Sequence, residues 1–246
     1  LVSNSNDKKT ALAKFTNYLT PLKRINGQQK KGMWGVAPRN KEQNFAFDLL
    51  LDPNVSVVTL VGKAGSGKTL MAIAAGLSQV VETNTEARYR RLVVSRPIQP
   101  MGKDIGYLPG SMEEKMNPWL APIQDNLQYL MGNDKETLKM YTDDGTIEIE
   151  ALTYIRGRSI SNAYIIIDEA QNLTAHELKT ILTRVGENTK IILTGDIEQI
   201  DNAYVDETSN GLAYAIEKFK NYELSGHITL VKGERSKVAT LAAKIL

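Results

Sequence analysis

Gly62-Lys63-Ala64-Gly65-Ser66-Gly67-Lys68-Thr69 fills every fixed position of the phosphate-binding pattern G-x-x-x-x-G-K-[ST]. Glycines at these places let the backbone curl so that successive N–H groups face inward, toward phosphate oxygens. In such a loop Lys68 reaches the β- and γ-phosphates of a nucleoside triphosphate, and the Thr69 hydroxyl ligates Mg²⁺. The flanks agree with this reading. Val55-Ser56-Val57-Val58-Thr59-Leu60-Val61 is β-branched and apolar, like a buried parallel strand. Leu70, Ile73, Ala74, Leu77 and Val81 recur at helical spacing, so the loop opens onto a helix N-terminus whose dipole favours anions. The competing reading, a glycine turn that merely joins strand to helix, is weakened by having both elements in place.

Working outward, further short apolar runs alternate with helical patterns. Leu92-Val93-Val94-Ser95 predicts a strand that stops at Arg96-Pro97, and residues 98–110, rich in Gly and Pro, predict a loop. A helix is expected from Ser111 toward Met131, disturbed at Pro118 and Pro122. Ile147-Glu148-Ile149-Glu150-Ala151-Leu152 alternates with period two, and Tyr164-Ile165-Ile166-Ile167-Asp168 and Lys190-Ile191-Ile192-Leu193-Thr194 are buried-strand runs. Between the last two, Thr174-Ala175-His176-Glu177 is a capping box. A helix over residues 211–220, a strand over 227–231 and a closing helix over 236–246 complete the expectation. The fold class is α/β: a doubly wound, mainly parallel sheet with helices on both faces.

Composition narrows the chemistry. The 246 residues suffice for a large core, and the absence of cysteine excludes disulfides, thiolate zinc sites and a cysteine nucleophile. His176 and His227 are the only histidines, too few for a histidine-rich metal centre. No apolar run approaches the roughly 18 residues of a membrane span, and the start lacks an apolar signal region. A cytoplasmic protein without membrane partners is expected. The net charge of +2 conceals an asymmetry: residues 1–41 carry nine Lys or Arg against the single acid Asp7. Residues 1–33 therefore read as a basic extension or linker, suited either to nucleic-acid phosphates or to a solvated tether, with a single domain over 34–246. A first residue other than Met suggests sequence upstream.

The motifs beyond the glycine loop choose among triphosphate chemistries. Ile165-Ile166-Ile167-Asp168-Glu169 delivers two acids to the C-terminal end of a strand, where ligands of open α/β sheets bind. Asp168 fits the acid of a Walker B motif, associated with Mg²⁺, and Glu169 fits a general base for the attacking water. A solvated turn is the alternative for two such acids alone. Thr194-Gly195-Asp196-Ile197-Glu198-Gln199 ends another strand, and Gln199 is the candidate γ-phosphate sensor. Gln43, upstream of the first strand, is placed to read an adenine edge. Arg235 is either a transition-state arginine or a surface residue at a helix start.

Taken together the residues resemble the PhoH family. The resemblance spans residues 34–246. It is carried by Trp34-Gly35, Pro38-Arg39-Asn40 and Gln43, the glycine loop, Arg96-Pro97, Met101-Gly102-Lys103-Asp104-Ile105-Gly106-Tyr107-Leu108-Pro109-Gly110, Arg156-Gly157-Arg158, Asp168-Glu169-Ala170-Gln171-Asn172, Thr194-Gly195-Asp196 and Gly233-Glu234-Arg235-Ser236. It implies a RecA-like P-loop NTPase similar to the first motor domain of superfamily 1 helicases, with ATP, Mg²⁺ and RNA or single-stranded DNA as ligands. On that resemblance Gln43 plays the adenine-reading role, Asp168-Glu169-Ala170-Gln171 is motif II, Gly195-Asp196 with Gln199 is motif III, and Arg235 serves the γ-phosphate.

Longer relatives carry an upstream PIN ribonuclease domain, but no acidic ribonuclease cluster precedes the glycine loop here, so no nuclease activity is expected of this chain. Only one motor module is present. A homo-oligomeric ring, with a hexamer among the arrangements open to it, is expected to supply the second moving surface. Arg96, Lys103, Arg156 and Arg158, on loops beyond strand ends, are the nucleic-acid candidates. The expectation is an ATP hydrolase that drives movement on RNA or single-stranded DNA, against a nucleotide-dependent switch as the alternative.

Overall fold

A computed structural model of the chain describes residues 2–3, 10–16, 18–25, 33–81, 87–97, 112–152 and 159–233; for residues 2, 3, 10 and 112–117 it describes the backbone alone. Six strands form one sheet: β1 (Val57–Gly62), β2 (Arg91–Arg96), β3 (Ile147–Ala151), β4 (Ala163–Ile167), β5 (Lys190–Gly195) and β6 (Ser225–Leu230). Across the sheet they run β6-β1-β5-β4-β2-β3, and every neighbouring pair is parallel. Parallel neighbours need crossovers, and helices supply them. α1 (Lys41–Leu51) precedes β1, α2 (Lys68–Val80) joins β1 to β2, and α3 (Met112–Leu130) with α4 (Lys135–Asp143) lies between β2 and β3. α5 (Ala175–Leu182) leads from β4 to β5, and α6 (Gly211–Phe219) from β5 to β6.

Both faces are covered, as continuous apolar runs require. Side chains alternate across each strand. Val58, Leu60, Leu92, Val94, Ile166 and Ile192 pack on one face against Phe47 and Leu50 of α1, Met71 and Leu77 of α2, and Ile123 and Leu127 of α3. Val57, Val61, Val93, Ile165, Ile167, Ile191 and Leu193 pack on the other against Leu178 and Ile181 of α5 and Leu212 and Ala215 of α6. At about 1.5–3 kcal/mol for each large side chain removed from water, these two layers dominate the stability. The register aligns the strand ends: Val61 lies beside Gly195, Leu193 beside Ile167, and Ile167 beside Ser95. Whatever follows β1, β5, β4 and β2 therefore emerges in one row.

Several boundaries and elements differ from expectation. The strands come within two residues of the predicted runs, but α1 and α4 were not expected. α1 is capped by Asn40, whose side chain accepts from the Gln43 N–H at 2.9 Å, and it buries Gln43, Ala46, Phe47 and Leu50 at helical spacing. α4 is capped by Asp134 and buries no residue completely. α3 continues through Pro118 and Pro122, where a disturbance was expected. Each proline removes one backbone donor, yet Leu120, Ile123, Leu127 and Leu130 bury a continuous stripe that holds the helix on the core. Within the basic stretch read as a linker, Ala13–Lys14 pairs with Lys23–Arg24. The Lys14 ammonium bonds Asp52 and lies 3.8 Å from Asp48, at the end of α1. The loop over 98–110 and the closing helix over 236–246 fall outside the described residues.

Candidate functional site

The glycine loop leaves β1 and enters α2 through Gly67, whose φ of +87° is a conformation L side chains rarely adopt. The first N–H groups of α2 have no carbonyl within the helix, so this helix start favours an anion. Lys68 is 8 % exposed, and its ammonium donates to the carbonyls of Gly62 at 2.5 Å and Lys63 at 3.2 Å. The loop is also tied to the segment after β5. The Ala64 N–H donates to Asp196 Oδ2 at 3.0 Å, and Lys63 pairs with Glu198 at 2.8 Å, which raises the Lys63 ammonium above its usual range.

Gln43 spans the gap between α1 and this loop. Its Oε1 accepts from the Arg39 N–H at 2.7 Å, and its Nε2 donates to the Ser66 carbonyl at 3.1 Å. It borders a cavity of about 370 Å³ lined also by Val36, Pro38, Leu70, Met71 and Tyr129. Val36, Leu70, Met71 and Tyr129 give it apolar surface while Arg39, Gln43 and the glycines give it polar surface, a mixture that suits a planar, hydrogen-bonding base. Tyr129, on α3 and 65 % exposed, is a wall that the sequence reading missed. Its distance in sequence from every motif gave no signal.

The acids follow β4. Asp168, buried, is anchored by its N–H to the Ser95 carbonyl at 2.8 Å. Its Oδ1 accepts from the Thr69 hydroxyl at 2.7 Å and from the Thr194 hydroxyl at 2.6 Å, so one carboxylate joins the loop, β4 and β5. These oxygens fit Mg²⁺, a hard cation that is held by one or two protein oxygens together with phosphate and water. Among the described residues no group of three or more His, Cys, Asp or Glu gathers to hold a metal by protein ligands alone. Glu169 has φ of +54°, left-handed backbone that costs energy in a residue other than glycine and clusters at functional sites. Its Oε2 accepts from Gln171 Nε2 at 2.6 Å, and its Oε1 lies 3.5 Å from an Arg96 guanidinium nitrogen at the end of β2.

Gln171 is the second residue whose part sequence reasoning missed, although it lies inside a recognised motif. It is fully buried; Nε2 also donates to the Gln199 carbonyl at 2.8 Å, and Oε1 accepts from the Asp196 N–H at 3.2 Å. One amide thus joins the acid pair to the segment after β5. This closeness requires glycine at 195, because a Cβ there would lie 2.4 Å from Gln171 Oε1. The Gln199 side chain is exposed, while its backbone takes part in this junction through the carbonyl and through the N–H bonded to Asp196.

The structure thus gathers Gln43, Gly62, Lys63, Ala64, Gly65, Ser66, Gly67, Lys68, Thr69, Arg96, Asp168, Glu169 and the Gln199 backbone around one sheet edge. Lys103, Arg156, Arg158 and Arg235 lie outside the described residues. No described helix is long and apolar enough to cross a membrane.

The family model described as PhoH-like protein matches residues 35–245. Protein PhoH2 from Bacillus subtilis (strain 168) is 56 % identical over 216 residues, covering 87 % of this chain and 48 % of that protein. Protein PhoH2 from Mycolicibacterium smegmatis is 41 % identical over 233 residues, covering 92 % and 52 %. The chain spans about half the length of these curated relatives. Among solved structures, Pif1 helicase from Candida albicans is similar at a TM-score of 0.41 with 15 % identity, over 85 % of this chain and 43 % of that one. With a six-stranded parallel sheet covered by helices and a family match over residues 35–245, the chain belongs to the PhoH family.

Proposed function

We propose that this chain is a Mg²⁺-dependent ATPase that couples hydrolysis to binding and movement along RNA or single-stranded DNA. The observation that carries the reading is the junction at Asp168, whose carboxylate meets the Thr69 hydroxyl of the phosphate loop and the Thr194 hydroxyl of β5. Around it, the loop amides and Lys68 neutralise the triphosphate, and Gln43 with Tyr129 holds the base. Glu169 accepts the proton of the attacking water, and Gln171 orients its carboxylate. Thr69 and Asp168 would hold Mg²⁺, which would supply neutralisation of the charge that develops on the phosphates. Loss of the γ-phosphate is sensed by the segment carrying Asp196 and Gln199, to which the phosphate loop is tied through Ala64.

Arg96, Lys103, Arg156 and Arg158 are the proposed phosphate contacts to nucleic acid, and Arg235 the proposed γ-phosphate arginine. A ring of identical subunits is proposed to supply the second surface for movement, and a PIN domain to precede the module in longer chains. A second reading, a nucleotide switch with slow turnover, is favoured by the state of Glu169, whose two oxygens are both engaged. Phosphate release from ATP, measured with and without single-stranded RNA and DNA, tests the first reading; no release above background would sink it. Stimulated release without strand displacement on a tailed duplex would favour the switch.

A further inference from the structure

Strand β2 carries an arginine at each end, and their ion pairs differ. Arg91 meets Glu148 of β3 at 2.7 Å, the length of a charge-assisted hydrogen bond. Arg96 meets Glu169 at 3.5 Å, with side chains 24 % and 31 % exposed. The first pair is tight and the second is long; the two arginines are equally exposed, at 25 % and 24 %, and only the carboxylates differ, Glu169 being more accessible than Glu148. The register explains why the second exists. Ser95 pairs with Ile167, and the Asp168 N–H bonds the Ser95 carbonyl, so the residues just past these points lie side by side beyond the sheet. The left-handed backbone of Glu169 and the Gln171 amide on its other oxygen fix where the carboxylate stands.

We propose that Arg96 is a latch on Glu169. Without a polyanion its guanidinium holds the carboxylate. Phosphodiesters, which match the guanidinium fork bidentately, draw it away and free Glu169 to take a proton from water. The proposal rests on the ATP-hydrolysis reading and adds its regulation: the cation that binds the nucleic acid is the one that restrains the base. Arg96 is then a positioning residue, acting on the reaction through Glu169.

The test is steady-state ATP turnover of the chain with and without poly(U), for the wild type, Arg96→Ala, Arg96→Lys and the double variant Arg96→Ala/Glu169→Gln. The latch predicts that Arg96→Ala raises turnover without RNA several-fold and leaves little further stimulation. Arg96→Lys, which keeps a cation but not the fork, moves both quantities in the same direction by less. In the double variant the gain disappears, because it depends on Glu169. Unchanged turnover without RNA, with stimulation regained at higher poly(U), would make Arg96 a nucleic-acid ligand only and overturn the latch. A parallel fall of both rates would make it a structural residue and overturn the latch as well. A wild type that binds ATP yet releases no phosphate under either condition would instead overturn the ATPase reading, and the latch with it.

Discussion

Two buried lysines stand at opposite ends of neighbouring strands. Lys68 follows the C-terminal end of β1, and Lys190 opens β5, roughly 20 Å away by the length of a six-residue strand. Both are nearly inaccessible, and both ammonium groups donate to backbone carbonyls. Lys190 is 1 % exposed and meets the carbonyls of Leu49 and Asp52 at 2.8 Å and of Val55 at 2.5 Å, closing the C-terminal end of α1. Burial pushes its ammonium down to about 7, although the three carbonyls offer one acceptor to each of its N–H groups. The acceptors of Lys68 belong instead to the glycine loop, beside the acid pair. Burial and hydrogen bonding are therefore common to scaffold and site. What separates the two lysines is the company: helix-end carbonyls that need a donor at one end, a helix N-terminus and two carboxylates at the other.

That contrast predicts a crossed pattern. Lys68→Met should lower ATP turnover by about 10²–10³-fold, as loss of one charge-stabilising donor does, while its urea unfolding midpoint falls less than that of Lys190→Met, because it takes the donor from two carbonyls rather than three. Lys190→Met should do the reverse, costing about 2–4 kcal/mol of stability in a urea titration because it takes the donor from three carbonyls, with ATP affinity retained. Equal damage to ATP binding by both would break the contrast. The pH dependence sharpens it. The folded pKa of Lys190 is about 7 against 10.5 for the ordinary side chain, so between those values the unfolded chain binds more protons and stability rises with pH. In Lys190→Met that rise should be absent from unfolding curves recorded between pH 7 and 10.

Smaller effects probe the functional end. In Gly195→Ala the added Cβ would fall 2.4 Å from Gln171 Oε1 and 2.6 Å from Leu212 Cδ2. Displacing Gln171 should reduce kcat about tenfold with a stability loss of about 1–3 kcal/mol from overpacking. A variant with wild-type kcat would remove Gln171 from the account of the base. Tyr129→Ala should weaken ATP binding about 3–10-fold, as loss of a stacking wall does, and leave kcat unchanged; equilibrium titration with a fluorescent nucleotide measures it.

Much of the functional end was legible in the chain. The glycine loop, the acids after Ile167 and Thr194-Gly195-Asp196 each pair a local pattern with a strand end, and parallel pairing then brings strand ends together. The scaffold end was far less legible. Lys190 read as the polar start of an apolar strand, because its partners Leu49, Asp52 and Val55 lie more than 130 residues away. α1 carries a weak sequence signal because its first turn is polar, although Gln43, Ala46, Phe47 and Leu50 keep helical spacing. α4 escaped because it buries no residue fully and so carries little periodic signal. Gln171 and Tyr129 depend on tertiary contacts, which one sequence does not display.

The central claim is that Glu169 is the base of an ATP-hydrolysing site. The most direct measurement is single-turnover hydrolysis by Glu169→Gln beside the wild type, with ATP binding measured on both. The expected result is binding within a few-fold of wild type and hydrolysis slower by about 10²–10⁴-fold, because the amide keeps the shape of the carboxylate but takes no proton. Hydrolysis at the wild-type rate with binding intact would contradict the claim.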